Sequence, residues 1–241
     1  MRCVLLALAA LAMVAEPCAA QEVASAQTAA APYERIYDTL IAQADDRPAI
    51  EAGLDWMVKE LAKNPDMAAV EAAYPGVTEK LRAAFRPIMT GYSQRVKLAY
   101  RPRMVALFQA ELTEAEAAEV AEFYASPIGH RLVAGIVDSY RPDAVLGTLG
   151  TDQRVDAADV EQDLNSATAG MLHGLSAAET AELYRELAAR PAVAKLVPVV
   201  PRIAALRAEM EEEPMTAKEE AAIEAAVQEV FASIEPSRPR K

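Results

Sequence analysis

Cysteine occurs at only two positions, Cys3 and Cys18, and histidine at two, His130 and His173. Glycine is scarce, with 9 residues in 241, aromatics make up 5%, and β-branched runs are short. Strands therefore have little to be built from. Basic residues number 24 against 36 acidic ones, a net charge of -12. A duplex-binding protein needs a basic face that displaces counterions, so nucleic acid is not expected as a partner. No phosphate-binding glycine loop and no dinucleotide fingerprint occurs in the chain.

Long hydrophobic runs are also missing. The main one, Cys3 to Ala15, has 13 residues, short of the roughly 20 that span a bilayer. It follows Met1-Arg2 and ends at Glu16-Pro17, with the small residues Cys18-Ala19-Ala20 next. This pattern predicts a secretory signal peptide over residues 1–20, cleaved after Ala20, with Ala26 as the alternative site. Both cysteines would leave with it. The mature chain would then have no thiol, which excludes disulfides, cysteine nucleophiles and cysteine metal sites together. The expected location is the Gram-negative periplasm, with extracellular release as the alternative, and no transmembrane helix is expected in the mature chain. Residues 21–32 are small and polar and predict a disordered linker.

What is present favours helices. Alanine is about a fifth of the chain, with abundant Glu, Leu and Arg, all strong helix formers. The expected fold class is all-α, a multi-helix bundle. Residues 33–110 carry N-terminal helices. Ile36, Tyr37, Leu40 and Ile41 form one stripe, and Ile50, Leu54, Met57 and Leu61 another. Asn64-Pro65 stops one helix and starts the next, and Tyr74-Pro75-Gly76 is a turn. A long helix is predicted from about Val77 to Glu111, with Leu81, Phe85, Ile88, Tyr92, Val96 and Ala99 on its apolar face. Pro87 and Pro102 should kink or break it.

Residues 111–235 contain an internal repeat. Copies near 112–140 and 175–212 align over some twenty positions, with Arg190 inserted before the second proline. Thr113 with Glu116 and Ser176 with Glu179 are capping boxes, each cap contributing about 1 kcal/mol. Each helix ends at a proline corner, Ser126-Pro127 or Arg190-Pro191, where a second helix begins. Thr216 with Glu219 opens a C-terminal helix to about Ser233. Between the copies Gly147 and Gly150 mark a loop, and Val160, Leu164, Ala167 and Met171 form a further stripe. Residues 236–241 read as a mobile basic tail.

The segment Phe123-Tyr124-Ala-Ser126-Pro127-Ile-Gly129, after a Thr113-x-x-Glu116 helix start, resembles the domain of unknown function 2059 (DUF2059) over roughly residues 77–140. The second copy shares Ser176, Glu179 and Pro191 but lacks the Phe-Tyr pair and the glycine. The resemblance implies an exported bacterial helical protein with no established activity and no catalytic residues to carry over.

Candidate chemistry is sparse. His130 and His173 lack the spacing and company of zinc ligands. Ser126 lies between two helices and reads as an N-cap, not a nucleophile elbow. Glu114, Glu116, Glu119 and Glu122 read as a solvated helix face, and Glu211 to Glu213 as a helix end or loop. No enzyme activity and no cofactor is expected. Seven basic residues and one acidic one fall between Val77 and Arg103, while residues 143–190 carry nine acids and three bases. The first expectation is that these regions face and neutralise one another. The sharper one is that Arg82, Arg86, Lys97 and Arg101 contact an anionic envelope component or an envelope protein. The functional expectation is a non-enzymatic binding module in the cell envelope. The alternative is a carrier of a small apolar ligand or lipid, held between helices bent at Pro87, Pro102, Pro198 and Pro201.

Overall fold

The computed structural model describes residues 31–42, 45–149 and 151–234. The expected signal peptide, the linker up to residue 30, Gly150 and the basic tail lie outside these residues. Among the described residues every regular element is helical, as the composition predicts.

The elements follow the chain's punctuation. Helix α1 spans Pro32–Tyr37 and continues as a wider π turn over Asp38–Ala42. Pro32, placed at the end of the linker by sequence, is thus the first helical residue, where its missing N–H costs nothing. Helix α2 runs Arg47–Lys63 and α3 runs Pro65–Ala73. The Asn64 side chain accepts the amides of Asp66 at 2.9 Å and Met67 at 3.3 Å, and Pro65 takes the first helical position. The turn that follows sets Gly76 at φ 91°, a left-handed geometry that only glycine adopts without cost.

Helix α4 spans Val77–Glu111. At 1.5 Å per residue its 35 residues reach about 52 Å, and α4 is the spine of the molecule. The Glu71 carboxylate on α3 caps it, accepting the amides of Gly76 at 2.5 Å and Thr78 at 2.9 Å. Helix α4 runs unbroken through Pro87 and Pro102, both exposed, so the expected breaks do not occur. Packing on both sides holds it. Leu81, Phe85, Tyr92 and Val96 are buried as expected, with Met89, Ser93, Lys97, Met104 and Phe108; Ile88 is half-buried and Ala99 exposed.

Helix α5 spans Glu114–Ala125, α6 Pro127–Ser139, α7 Asp143–Thr148 and α8 Ala157–His173. Helix α9 spans Ala177–Ala189, a 3₁₀ helix Pro191–Val199, α10 Val200–Glu211 and α11 Ala217–Ile234. The boxes at Thr113/Glu116, Ser176/Glu179 and Thr216/Glu219 all close. Asp156 with Asp159 forms another at the start of α8. The second corner departs from the first: after Arg190 the chain makes three turns of 3₁₀ helix before α10 begins. Pro198 and Pro201 explain this in part, because neither has an N–H to give to the carbonyls of Ala194 and Val197.

Helices α1, α2, α10 and α11 pack on α4, while α8 lies between α6 and α10. The main core joins α1, α2, α4 and α5 with the 3₁₀ segment, α10 and α11. A satellite core gathers Phe123, Ile128, Leu132, Met171 and Leu183. Tyr124 touches both cores, edge-on to Phe123 at 5.1 Å. At the corner between them the Ser126 hydroxyl donates to the Phe123 carbonyl at 2.6 Å and accepts the Gly129 amide at 3.1 Å. A Cβ on Gly129 would lie 2.1 Å from the Phe123 carbonyl oxygen and 2.7 Å from the Tyr124 Cα. The Phe-Tyr-x-Ser-Pro-x-Gly string is therefore an architectural device, in which two helices cross so closely that only hydrogen fits.

Candidate functional site

The carboxylates that neutralise the basic stretch of α4 come from unexpected places. Arg82 pairs with Glu51 at 2.6 Å and Asp55 at 2.8 Å, and Arg86 also grips Glu51. Arg95 pairs with Glu219 at 2.9 Å, Arg101 with Asp38 at 3.1 Å, and Arg103 with Glu209 at 2.5 Å. Lys97 lies in the core, its ammonium 2.6 Å from Asp46. The Ser93 hydroxyl donates to the other Asp46 oxygen at 2.5 Å, and the Tyr37 hydroxyl donates to the Lys97 carbonyl at 2.5 Å. Burial pulls the Lys97 pKa down against the pull of Asp46. The acids between 143 and 190 are thus not the counter-charges of α4. Helices folding back on either side of the spine supply them, because those helices pack on it and the 143–190 segment does not.

The four cations singled out in the sequence do not meet. Arg82 and Arg101 are about 28 Å apart along α4, and Lys97 is 7% exposed. Arg82 and Arg86, however, pair with Glu51 and Asp55, which line a cleft of about 570 Å³ between α2 and α7. Helix α2 lines it with Pro48, Glu51, Ala52, Asp55, Trp56 and Lys59. These positions recur at three- and four-residue steps, so they share one side of the helix. The apolar stripe of Ile50, Leu54 and Met57 faces the core. The opposite wall is Arg141, Asp143, Leu146 and Gly147.

That wall is held in place from below. The Asp163 carboxylate on α8, 3% exposed, accepts the amides of Ala144 at 2.9 Å and Val145 at 3.1 Å, and so caps α7 from another helix. Burial raises the Asp163 pKa, against those two amides. Arg141 donates from Nη1 to the carbonyls of Tyr140 at 2.6 Å and Asp138 at 3.2 Å.

The charges in the cleft fall into two sets. Glu51 and Asp55 are matched by Arg82 and Arg86, and the Arg86 guanidinium holds the Glu51 carboxyl below its ordinary range. Lys59 and Arg141 have no carboxylate within 4.0 Å among the described residues, and Asp143 has no cation. On a chain of net charge -12 this cleft brings together two unmatched cations and the one tryptophan, Trp56, which is half-buried. The signal available in sequence was the run Glu51, Asp55, Lys59 at four-residue steps beside Trp56. The partners that set its meaning, Arg82 and Arg141, lie far off along the chain.

His130 and His173 are both exposed, and no group of three or more potential metal-ligating residues occurs among the described residues. Ser126 is the helix cap described above. The glutamates of α5 are not uniformly solvated. Glu119 accepts the Ala192 amide at 2.8 Å, and Glu116 pairs with Lys195, which together with the capping bonds brings its pKa to about 2. Helix α5 is thereby tied to the second corner. The Glu211–Glu213 run does end a helix, but Glu211 is buried 3.6 Å from Arg207. No helix of the described residues is long and apolar enough to cross a membrane.

The family model described as an uncharacterized protein conserved in bacteria (DUF2059) matches residues 100–137. The match takes in the end of α4, the capped helix α5, the Ser-Pro corner and most of α6. It is narrower than the 77–140 suggested by the motif. No curated protein and no solved structure matches the chain.

Proposed function

We propose that this chain, whose residues 100–137 match the DUF2059 family model, is an exported, non-enzymatic binding module of the cell envelope whose α2–α7 cleft holds an anionic envelope component. One observation carries the reading: Lys59 and Arg141, with no carboxylate partner among the described residues, line one cleft with a half-buried indole on an otherwise acidic protein. Unmatched cations over a partly apolar floor attract and orient an anion. Arg82 and Arg86 serve this site by fixing Glu51 and Asp55, and Arg101 and Lys97 serve the fold. The Arg86 guanidinium holds the Glu51 carboxyl low, which does not suit Glu51 to a general acid's role.

Export rests on the leader-like pattern of Met1 to Ala20, with the periplasm as destination. The matching caps and proline corners of the two segments support duplication of a helical module. A carrier role for a small apolar ligand is the second reading. It is favoured by a groove of about 550 Å³ beside Pro87, floored by Ile88, Gly91, Tyr92 and Ala222.

Co-sedimentation with isolated envelope tests the main reading. The processed protein should pellet with isolated cell-wall sacculi, and Lys59→Glu with Arg141→Glu should abolish pelleting while leaving the circular dichroism unchanged. Pelleting that survives both reversals would remove the cleft from the account. An N-terminus still beginning at Met1 in the protein recovered from cells would remove export.

A further inference from the structure

The cleft constrains its ligand further than charge alone. Its floor and walls make three demands, and few chemical classes meet all of them.

The first demand comes from Lys59 and Arg141, whose charges are not matched by this chain's described residues. They call for an anionic group. The second comes from the acceptors. Asp55 gives Oδ1 to Arg82 at 2.8 Å, but its Oδ2 and the Asp143 carboxylate are taken by no donor among the described residues. A ligand that strips water from these oxygens without offering O–H or N–H donors loses their hydration for nothing. The third comes from Trp56, a large rigid apolar surface beside these polar groups, which favours a ligand with a flat C–H face.

A fatty acyl chain meets the third demand and fails the second. Inorganic phosphate and a phosphate-rich headgroup meet the first, but they crowd Asp55 and Asp143 with like charge and leave Trp56 unused. A pyranose carrying a carboxylate meets all three. Its ring C–H face covers the indole, its hydroxyls donate to Asp55 and Asp143, and its carboxylate accepts from Lys59 and Arg141. The volume of about 570 Å³ lies within the usual range for small-ligand sites, about 300–1,000 Å³.

We infer that the α2–α7 cleft is a binding site for a carboxylate-bearing saccharide. The inference rests on the binding reading above and adds the ligand's class. Glu51, held by two guanidiniums, is part of the preformed wall and need not rearrange when the sugar enters.

Because the chain has one tryptophan, its fluorescence reports on this cleft alone. The experiment titrates the processed full chain with N-acetylmuramic acid, with N-acetylglucosamine, which shares its ring but lacks the carboxylate, and with inorganic phosphate. Expected is a saturable change in Trp56 emission with N-acetylmuramic acid. Half-saturation by the neutral sugar should need at least about ten times more, and phosphate should give no change. Lys59→Gln and Arg141→Gln should each weaken the acid's binding about tenfold and leave the neutral sugar's unchanged. Equal half-saturation by the two sugars would overturn the role of the carboxylate, and a response to phosphate alone would overturn the saccharide. If no sugar responds but sacculus binding still depends on Lys59 and Arg141, the ligand class is wrong and the binding module stands. If sacculus binding is indifferent to both residues, the binding reading fails with it.

Discussion

Replacing Gly129 with alanine tests the corner that the family motif builds. The added Cβ would lie 2.1 Å from the Phe123 carbonyl oxygen, 2.7 Å from the Tyr124 Cα and 2.9 Å from the Tyr124 carbonyl carbon. All three neighbours are backbone, so no side-chain rotation relieves the clash. Helices α5 and α6 must separate by about an ångström, loosening Phe123 and Ile128 from the satellite core. Overpacking of this kind costs about 1–3 kcal/mol, and the rigid neighbours put Gly129→Ala at the upper end. For a chain of this size each kcal/mol shifts Tm by about 2–4 °C, so a fall of about 6–12 °C is expected. Gly91→Ala is the control. It lies inside α4 with nothing within 4 Å of its added Cβ, and alanine there should stabilise by about 0.5–1 kcal/mol through helix propensity. Thermal melts followed by circular dichroism should move in opposite directions for the two variants. If Gly129→Ala melts within about 2 °C of the parent, the close approach is not what the motif's glycine is for.

Further outcomes follow from the same physics. Thr113→Ala and Ser176→Ala should each cost about 1 kcal/mol, and their double variant the sum, since the caps open different helices; urea denaturation measures both. Lys97→Met removes the ammonium beside buried Asp46 and should cost about 3 kcal/mol or more; an unchanged urea midpoint would contradict a buried pair. On acidification, Glu51, Glu116, Glu209 and Glu219 all have folded pKa values below their ordinary ones. Their contribution is full above the unfolded carboxyl range and is lost as pH falls through the folded values, for Glu116 down to about 2. Asp163, shifted upward, acts oppositely and offsets part of this loss. The urea midpoint should therefore fall steadily below about pH 4.5, and a flat profile would refute the pairing of these carboxylates.

The features read correctly from the sequence share one property, which is that their physics closes within one helical turn. The Ser126 cap needs only the amide of Gly129, the Thr113 and Ser176 boxes only residues three positions on, and the Asn64-Pro65 junction only its own neighbours. Helix α4 was bounded in advance because its apolar residues recur with the helical period. Reading failed where two distant segments settle the outcome. Pro87 and Pro102 were expected to kink or break α4, yet with helices packed along both sides it continues through both without a break. Glu119 looked like a solvated acid and instead caps a 3₁₀ segment 73 residues away.

For this protein, then, the sequence alone determined an all-helical chain with its caps and corners, while the close approach that reserves Gly129 for glycine came from the structure. Hydrogen bonds from side chain to nearby backbone and the 3.6-residue period are short-range, and they are written where they act. Only the tertiary structure decided which cations are spent and which are available. Arg82 finds Glu51 31 positions earlier and Arg95 finds Glu219 124 positions later, while Lys59 and Arg141 line the cleft of Trp56 with no carboxylate within 4.0 Å among the described residues. Coulombic pairing depends on distance in space, and packing of the apolar faces, not order along the chain, sets that distance.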